Sequence, residues 1–236
     1  MIGEKILRPS NILDQSSLRD RTHIFKDRCE AGGLLATMLA KKLLEDSVVL
    51  AIPSGGVPVG FCISRQLKIP LDIVVVRKLP IPWNPESGFG AVALDGSVVL
   101  NKQLVHELGL DEETISTLAA SRLREIRERL AKFRGRREPT SLHGKEVILV
   151  DDGLASGFTM LAAIRFVKRE EPREVVVAVP TGHDEALRRI FQEVDEVYCL
   201  NVRSGMSFAV ADAYINWYDV GDVEVQRYLV KAWEES

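Results

Sequence analysis

Several features that mark particular protein classes, such as cysteine pairs, histidine clusters and a large net charge, are scarce in this sequence. Its 236 residues include three cysteines and four histidines, and the formal net charge is −3. The cysteines (Cys29, Cys62, Cys199) are odd in number and far apart, which argues against a disulfide framework or a zinc site and favours a reducing cytoplasm. The histidines lack the spacing of a metal site or catalytic triad. The small net charge argues against a nucleic-acid partner.

Long apolar segments are also missing. No apolar run approaches the length of a transmembrane helix, so no membrane partner is expected. The first ten residues carry no apolar core of a secretion signal. These absences leave a globular protein located in the cytoplasm as the expectation.

What the sequence does contain is an alternation of apolar strands and amphipathic helices. Apolar residues make up 46% of the chain, which is enough for a sizeable core in one α/β domain. Continuous apolar runs predict buried parallel strands at 48–52, 71–76, 146–150, 174–179 and 196–200. Helical periodicity predicts helices at 25–44, 57–67, 102–108, 112–133, 158–169, 184–192 and 222–233. The alternation predicts a single doubly wound parallel sheet spanning 1–236.

The segment 147–160 carries the strongest functional signal. An apolar strand runs into Asp151 and Asp152, and a loop of small residues with the hydroxyls of Ser156 and Thr159 leads into a helix. Such a loop lies at the sheet edge where α/β folds bind ligands. Glycine amides and the helix N-terminus favour a phosphate there. The carboxylates can accept hydrogen bonds from sugar hydroxyls or hold a metal ion through water, so the segment predicts a ribose 5-phosphate site.

This segment resembles the phosphoribosyl pyrophosphate (PRPP) motif of type I phosphoribosyltransferases, in which two acids and small residues precede Ser/Thr-Gly-x-Ser/Thr. The resemblance implies transfer of a 5-phosphoribosyl group from PRPP to a nitrogenous base, with release of pyrophosphate and with Mg²⁺ as cofactor. It implies that Asp151 and Asp152 bind the ribose hydroxyls, supply the catalytic charge and hold the metal ion. The implied 5-phosphate ligands are Gly153, Ala155, Ser156, Gly157, Phe158 and Thr159. The alternative is an ordinary Rossmann-like turn with capping Ser and Asp.

The two acids are not equivalent in a strand. Neighbouring strand residues point to opposite faces, so both reach the sugar only if the chain turns at Asp151. Asp152 is expected to be the closer of the two. Asp152→Asn is therefore expected to weaken magnesium–PRPP binding strongly while leaving the fold intact.

A second turn, 53–57, also links a strand to a helix, and its glycine-rich amides predict another anion site. One subgroup of the resembling family carries Pro-Arg-Gly-Gly-Val-Pro-Val-Gly here. This chain has Ser54 in place of that arginine, and a hydroxyl lacks the forked, charged grip of a guanidinium. The implied pyrophosphate ligands are Ser54, Gly55, Gly56, Arg77 and Lys78. The alternatives are a plain turn and two solvated cations.

Residues 77–97 break the strand–helix rhythm. Prolines predict a long loop over 79–88, and Asp95-Gly96 predicts a β-hairpin between short apolar runs. The resemblance implies a flexible loop over 79–97 that closes on the site, with Trp83 and Phe89 covering the ligand. The alternative is a static hairpin whose aromatic residues belong to the core.

The chain ends are less informative. The domain core is expected at about 25–200, with 1–24 and 201–236 as a hood or appendage. Phe208 and Trp217 are candidates to stack on the base, or else belong to the core. The basic run 122–137 interleaves with acids and is interpreted as a solvated helix face.

Three functions stay open from the sequence. The first is an active phosphoribosyltransferase that binds PRPP and a nucleobase-like acceptor. The second is a non-catalytic regulatory protein that senses PRPP or a nucleotide on the same fold. The third is an unrelated α/β phosphosugar enzyme, because fold alone does not fix function. A homodimer is expected if the amphipathic helix 112–133 packs against a copy of itself.

Overall fold

A parallel sheet forms the centre of the computed structural model, which describes residues 11–42, 46–205 and 207–234. Within those ranges six strands pair in one sheet, all in parallel. In spatial order they are β1 (Ile12–Asp14), β9 (Glu196–Arg203), β8 (Glu174–His183), β7 (Glu146–Val150), β2 (Ser47–Ala51) and β3 (Leu71–Ile73). The predicted parallel sheet is confirmed.

Helices cover both faces of this sheet. The helices of the described residues are α1 (Arg28–Leu39), α2 (Gly56–Leu67), α3 (Lys102–Glu107), α4 (Glu112–Arg134), α5 (Phe158–Lys168), α6 (Asp184–Ile190) and α7 (Asp222–Glu234). Of these, α1, α2, α5, α6 and α7 contact strands of the sheet. Buried residues of α1, α2, α4 and α7 form one apolar cluster, and those of α5 and α6 form another. Strands β2 and β7 are buried along their whole length, as their continuous apolar sequences predict.

Capping explains where the first helix begins. The Asp27 side chain accepts hydrogen bonds from the N–H groups of Cys29 and Glu30, so α1 begins at Arg28 rather than at 25. Residues 43 and 44 of the predicted helix lie outside the described residues. The start of this helix matters because Arg28 reaches the candidate site.

A second, antiparallel sheet occupies the region for which the prolines predict a long loop. It consists of β4 (Arg77–Ile81), β5 (Asn84–Val92) and β6 (Val98–Leu100), in that order. The loop prediction for 79–88 is wrong, because prolines are tolerated on an edge strand such as β4, where the pairing register shifts around Pro80. The predicted hairpin at Asp95-Gly96 is confirmed, with Gly96 at φ +82°.

The two candidate cover residues of this hairpin lie in different places. Phe89 is fully buried in the apolar core, as in the static-hairpin alternative, and does not lie over the site. Trp83 is 65% exposed at the turn between β4 and β5. The burial of Phe89 is the physical reason why the cover role proposed for it fails.

Cys29 and Cys62 form a disulfide, contrary to the sequence-based expectation. They are 33 positions apart, but α1 and α2 pack side by side and bring their Cα atoms to 5.6 Å. Gly32 permits this approach, since a Cβ there would lie 2.6 Å from the Val59 carbonyl oxygen. The disulfide removes one argument for a reducing compartment.

Among the residues that the structure describes, none of the helices combines the length and the hydropathy of a membrane span.

Candidate active site

Two loops meet at the carboxyl ends of the neighbouring strands β2 and β7. The turn 53–56 links β2 to α2, and the loop 151–157 links β7 to α5. The two loops touch: a Cβ on Gly55 would lie 1.9 Å from Asp152 Oδ2, and a Cβ on Gly56 would lie 2.9 Å from Asp151 Cα. The Pro53–Ser54 peptide is cis. The structure therefore brings the two predicted anion turns into one site.

Alanine at position 55 will disturb this contact. Its methyl group would overlap Asp152 Oδ2 at 1.9 Å, so Gly55→Ala is expected to destabilise the protein by about 1–3 kcal/mol, as overpacking does. Thermal unfolding measures the effect. Gly33→Ala in α1 is the control, because its nearest contact would be Gln66 Oε1 at 3.5 Å and alanine favours the helix interior. Equal stability of both variants would contradict the tight packing of the loops.

The acids of the loop contact one another and a buried cation. The Asp152 N–H donates to Asp151 Oδ1 at 2.9 Å. Arg28 donates to Asp152 Oδ2 from Nε at 2.9 Å and lies 2.8 Å from it through Nη2. Arg28 therefore neutralises Asp152, and Asp152→Asn would leave that guanidinium without its carboxylate. The expectation of an intact fold in that variant no longer holds.

The two carboxylates differ in their electrostatic surroundings. Burial and the neighbouring Asp152 charge raise the pKa of Asp151 well above its ordinary value. Burial also raises the pKa of Asp152, while Arg28 opposes that rise. A negative charge on Asp151 is thus costly in this structure. A cation or hydroxyl donors placed beside Asp151 would stabilise its ionised form.

Arg28 itself carries no signal in the sequence. Its guanidinium lies 4.0 Å from the Trp217 ring centroid, and its Nη1 donates to the Tyr218 carbonyl oxygen at 2.9 Å. The Tyr214 hydroxyl donates to the Asp152 carbonyl oxygen at 2.6 Å. The segment around Trp217 is therefore attached to the acidic loop through Arg28 and Tyr214. Helical spacing could place Arg28 on α1 but could not show which loop it would reach.

The predicted phosphate loop ends in a helix N-terminus without a side-chain cap. Gly157 occupies the N-cap position at φ +81°, and no side chain there accepts a hydrogen bond from the first turn of α5. The first N–H groups of a helix have no partner within it. These amides can therefore bind an anion, as the positive end of the helix dipole favours.

Neighbouring elements fix the shape of this loop. The Leu154 N–H donates to the Thr181 carbonyl oxygen at 2.9 Å, and the His183 N–H donates to the Leu154 carbonyl oxygen at 2.9 Å. A Cβ on Gly153 would lie 2.4 Å from Val210 Cγ1, which explains the glycine. Arg189 donates to the Ser156 carbonyl oxygen and lies 4.5 Å from the Phe158 ring centroid. The loop is thus held from behind by β8 and α6.

The predicted pyrophosphate residues are only partly together. Ser54 and Arg77 line one cleft of about 530 Å³, beside Arg129 of α4. Lys78 instead packs its side chain over Gly88, where a Cβ would lie 2.4 Å from Lys78 Cγ. Adjacent residues of a strand alternate between faces, which explains the separation. The basic run on α4 is not a purely solvated face, because the Arg129 side chain is only 15% exposed.

The candidate stacking residues lie at the chain's C-terminal segment. Trp217 is 38% exposed and has Arg28 beneath its ring. Phe208 contacts the rings and cations at the end of β8 and β9, with centroids 5.6 Å from His183 and 5.0 Å from the Arg203 guanidinium. Their role in base binding stays a prediction.

The fold and the paired loops are those of α/β proteins whose ligand sites lie beyond the carboxyl ends of a parallel sheet. A family model described as a phosphoribosyl transferase domain matches residues 92–214. The chain belongs to this family, and the resemblance to type I phosphoribosyltransferases is confirmed.

Individual relatives agree with this assignment. "Putative phosphoribosyl transferase Rv0571c" of Mycobacterium tuberculosis is 39% identical over 209 residues, covering 89% of this chain and 47% of that protein. The chain thus spans about half the length of the curated relatives it matches. The crystal structure of TT1426 from Thermus thermophilus is 39% identical, has a TM-score of 0.74, and is aligned over 88% of this chain and 98% of its own.

A more distant structure shares the fold alone. It is a hypothetical protein from Neisseria gonorrhoeae with bound ppGpp, with 18% identity and a TM-score of 0.50. The alignment covers 90% of this chain and 97% of the other.

Proposed function

We propose that this protein transfers a 5-phosphoribosyl group from PRPP to a nitrogenous base and releases pyrophosphate. The observation that carries the proposal is the contact between the turn 53–56 and the loop 151–157 at the ends of β2 and β7. One loop offers helix amides for the 5-phosphate, and the other offers turn amides for the pyrophosphate. The acids lie between them, where the ribose would bind.

The 5-phosphate is proposed to bind the amides of Ala155, Ser156 and Gly157 and the first turn of α5. The hydroxyls of Ser156 and Thr159 would add donors. Gly157 leaves the helix N-terminus without a side-chain acceptor, so a phosphate can take that place. Phe158 would contribute through its N–H, since its ring packs under Arg189.

Asp151, rather than the Asp152 expected from the sequence, is proposed as the acid that binds the ribose hydroxyls, since Arg28 already neutralises Asp152. A carboxylate whose ionisation is costly gains most from hydroxyl donors or a nearby cation. The described residues contain no group of three or more acidic, histidine or cysteine side chains that could hold a metal ion by themselves. Asp151 and Asp152 nevertheless fit Mg²⁺, which binds through one or two carboxylates, water and substrate phosphates.

The chemistry then follows from charge. The anomeric carbon becomes positive as pyrophosphate leaves, and the Asp151 carboxylate would stabilise that charge. Magnesium bound with the substrate would neutralise the leaving pyrophosphate. Neither acid needs to act as a general base. The segment that carries Trp217 is proposed to cover the acceptor base.

The proposal is tested by pyrophosphate release from magnesium–PRPP with a panel of nucleobases, and by calorimetric binding of PRPP. We expect saturable binding and base-dependent release. Thr159→Val should weaken PRPP binding about 10–100-fold, because a hydrogen bond to a charged phosphate is lost. Thr117→Val, an exposed site on α4, is the matched control. No binding of PRPP to the native protein would contradict the proposal.

One residue supports a second function, the sensing of PRPP without catalysis. Ser54 lacks the guanidinium found in the resembling subgroup, which would favour a protein that senses PRPP without turning it over. Binding of PRPP with no pyrophosphate release under any base would favour this alternative.

A further inference from the structure

The cleft beside Ser54 is lined by charged residues from elements that are far apart in the sequence. It lies between the turn 53–56, strand β4, helix α4 and the start of α7, and has a volume of about 530 Å³. Its charged lining residues are Arg77, Glu125, Glu128, Arg129 and Asp222. Two guanidinium groups therefore face one cleft that opens on the proposed pyrophosphate turn.

Arg129 is held in a fixed position in this cleft. Its Nη2 donates to Ser54 Oγ at 2.8 Å and to Asp222 Oδ1 at 2.7 Å. Its guanidinium carbon lies 4.9 Å from the Phe133 ring centroid. The side chain thus spans from α4 to the turn that would bind an anion, and it reaches the residue where the subgroup carries arginine.

Arg77 faces the same cleft with an unsatisfied donor. Its Nε is buried and makes no hydrogen bond with any residue in the described ranges, and its ion pair with Glu125 Oε2 spans 3.8 Å. Burial and the nearby Arg129 charge lower the pKa of Arg77. Two guanidinium groups that repel one another in the same cleft favour an added anion.

The acids of the cleft pair with neighbouring cations or are exposed. Glu125 pairs with Arg122 at 2.5 Å, and Asp222 is shared between Arg129 and Lys132 at 2.7 and 2.8 Å. Glu128 is exposed to solvent. The Asp222 carboxylate is therefore the anion that occupies Arg129 in this structure.

We propose that Arg129 supplies, from helix α4, the guanidinium that Ser54 lacks, and that Arg129 and Arg77 together bind the pyrophosphate group. Asp222 holds Arg129 in place and is displaced when the pyrophosphate arrives. This inference rests on the proposed function, because it assigns ligands to the pyrophosphate part of PRPP. It explains how a turn with serine at position 54 can still bind that group.

Calorimetric titrations with magnesium pyrophosphate and with ribose 5-phosphate test the assignment. Arg129→Ala should weaken pyrophosphate binding about 10–100-fold and leave ribose 5-phosphate binding unchanged. Asp222→Asn should strengthen pyrophosphate binding several-fold, since a competing carboxylate is removed. Arg127→Ala, on the exposed side of the same helix, is the matched control.

A rescue variant separates a ligand role from a folding role. Ser54→Arg combined with Arg129→Ala should restore most of the pyrophosphate affinity, because the guanidinium returns from the other side of the same contact. Arg129→Lys, which keeps the charge but loses the fork, should be intermediate. If Arg129→Ala does not fold, Arg129→Lys takes its place in the same titrations.

The contradicting outcomes are distinct from those of the proposed function. If the native protein binds PRPP but Arg129→Ala behaves like Arg127→Ala, this inference is wrong while the proposed function stands. An equal loss of ribose 5-phosphate binding in Arg129→Ala would also overturn it. If the native protein binds neither PRPP nor pyrophosphate, both fail.

Discussion

Arg28→Ala is expected to destabilise the protein by about 3–5 kcal/mol, because it leaves the Asp152 carboxylate buried without its partner. The side chains of Arg28 and Asp152 are only 6% and 14% exposed, and they meet at 2.8 Å. The variant also loses the contact with the Trp217 ring. For a chain of this size the melting temperature should fall by about 6–20 °C.

Chemical denaturation with Arg21→Ala as the control measures this effect, since Arg21 is exposed on the segment just before α1. The double variant Arg28→Met with Asp152→Asn should recover part of the loss, because neither residue then leaves an unpaired buried charge. The deficit should also shrink in acid. Protonated Asp152 needs no counter-ion, so lowering the pH through its raised pKa removes the penalty. A deficit that is small, or constant with pH, would contradict the buried pair.

Asp151→Asn is expected to abolish function while stabilising the fold. Loss of the carboxylate should reduce turnover about 100-fold or more, since the charge proposed to stabilise the anomeric carbon is gone. Asparagine keeps an oxygen that accepts the Asp152 N–H. A carboxylate whose folded-state pKa is raised makes folding less favourable as the pH rises through that pKa. The variant should therefore unfold at a higher temperature than the native protein at neutral pH, and the gain should vanish in acid.

Thermal unfolding across pH, together with the pyrophosphate-release assay, checks both halves of this prediction. Asp219→Asn is the control, because it removes the same charge from an exposed position of the segment near Trp217. Full activity of Asp151→Asn would remove Asp151 from the proposed mechanism. Lower stability at neutral pH would show that the carboxylate is satisfied by the protein itself.

Much of the fold follows from sequence patterns that are local. The strands β2 and β7 are continuous apolar runs, so burial on both faces can be predicted from either segment alone. Glycines and acids at strand ends predict the turns at 53–57 and 151–157. The hairpin β4–β5 escapes prediction because Pro80 and its neighbours punctuate loops more often than edge strands.

The rest of the site depends on long-range packing. Arg28 reaches Asp152 across 124 positions, and Arg129 reaches Ser54 across 75. The contacts result from how α1 packs on β8 and β9 and how α4 packs on β4, β5 and α7, which no local pattern specifies. The disulfide between Cys29 and Cys62 has the same origin. The acceptor base, a homodimer through α4 and a cytoplasmic location stay predictions.

A crystal structure of the protein with bound magnesium and PRPP would show where each part of the donor binds. We expect the 5-phosphate on the amides of 155–159, the ribose hydroxyls at Asp151, and the pyrophosphate on the turn 54–56 beside Arg129. A donor bound elsewhere, or a ribose turned away from Asp151 while Arg28 still covers Asp152, would contradict this expectation.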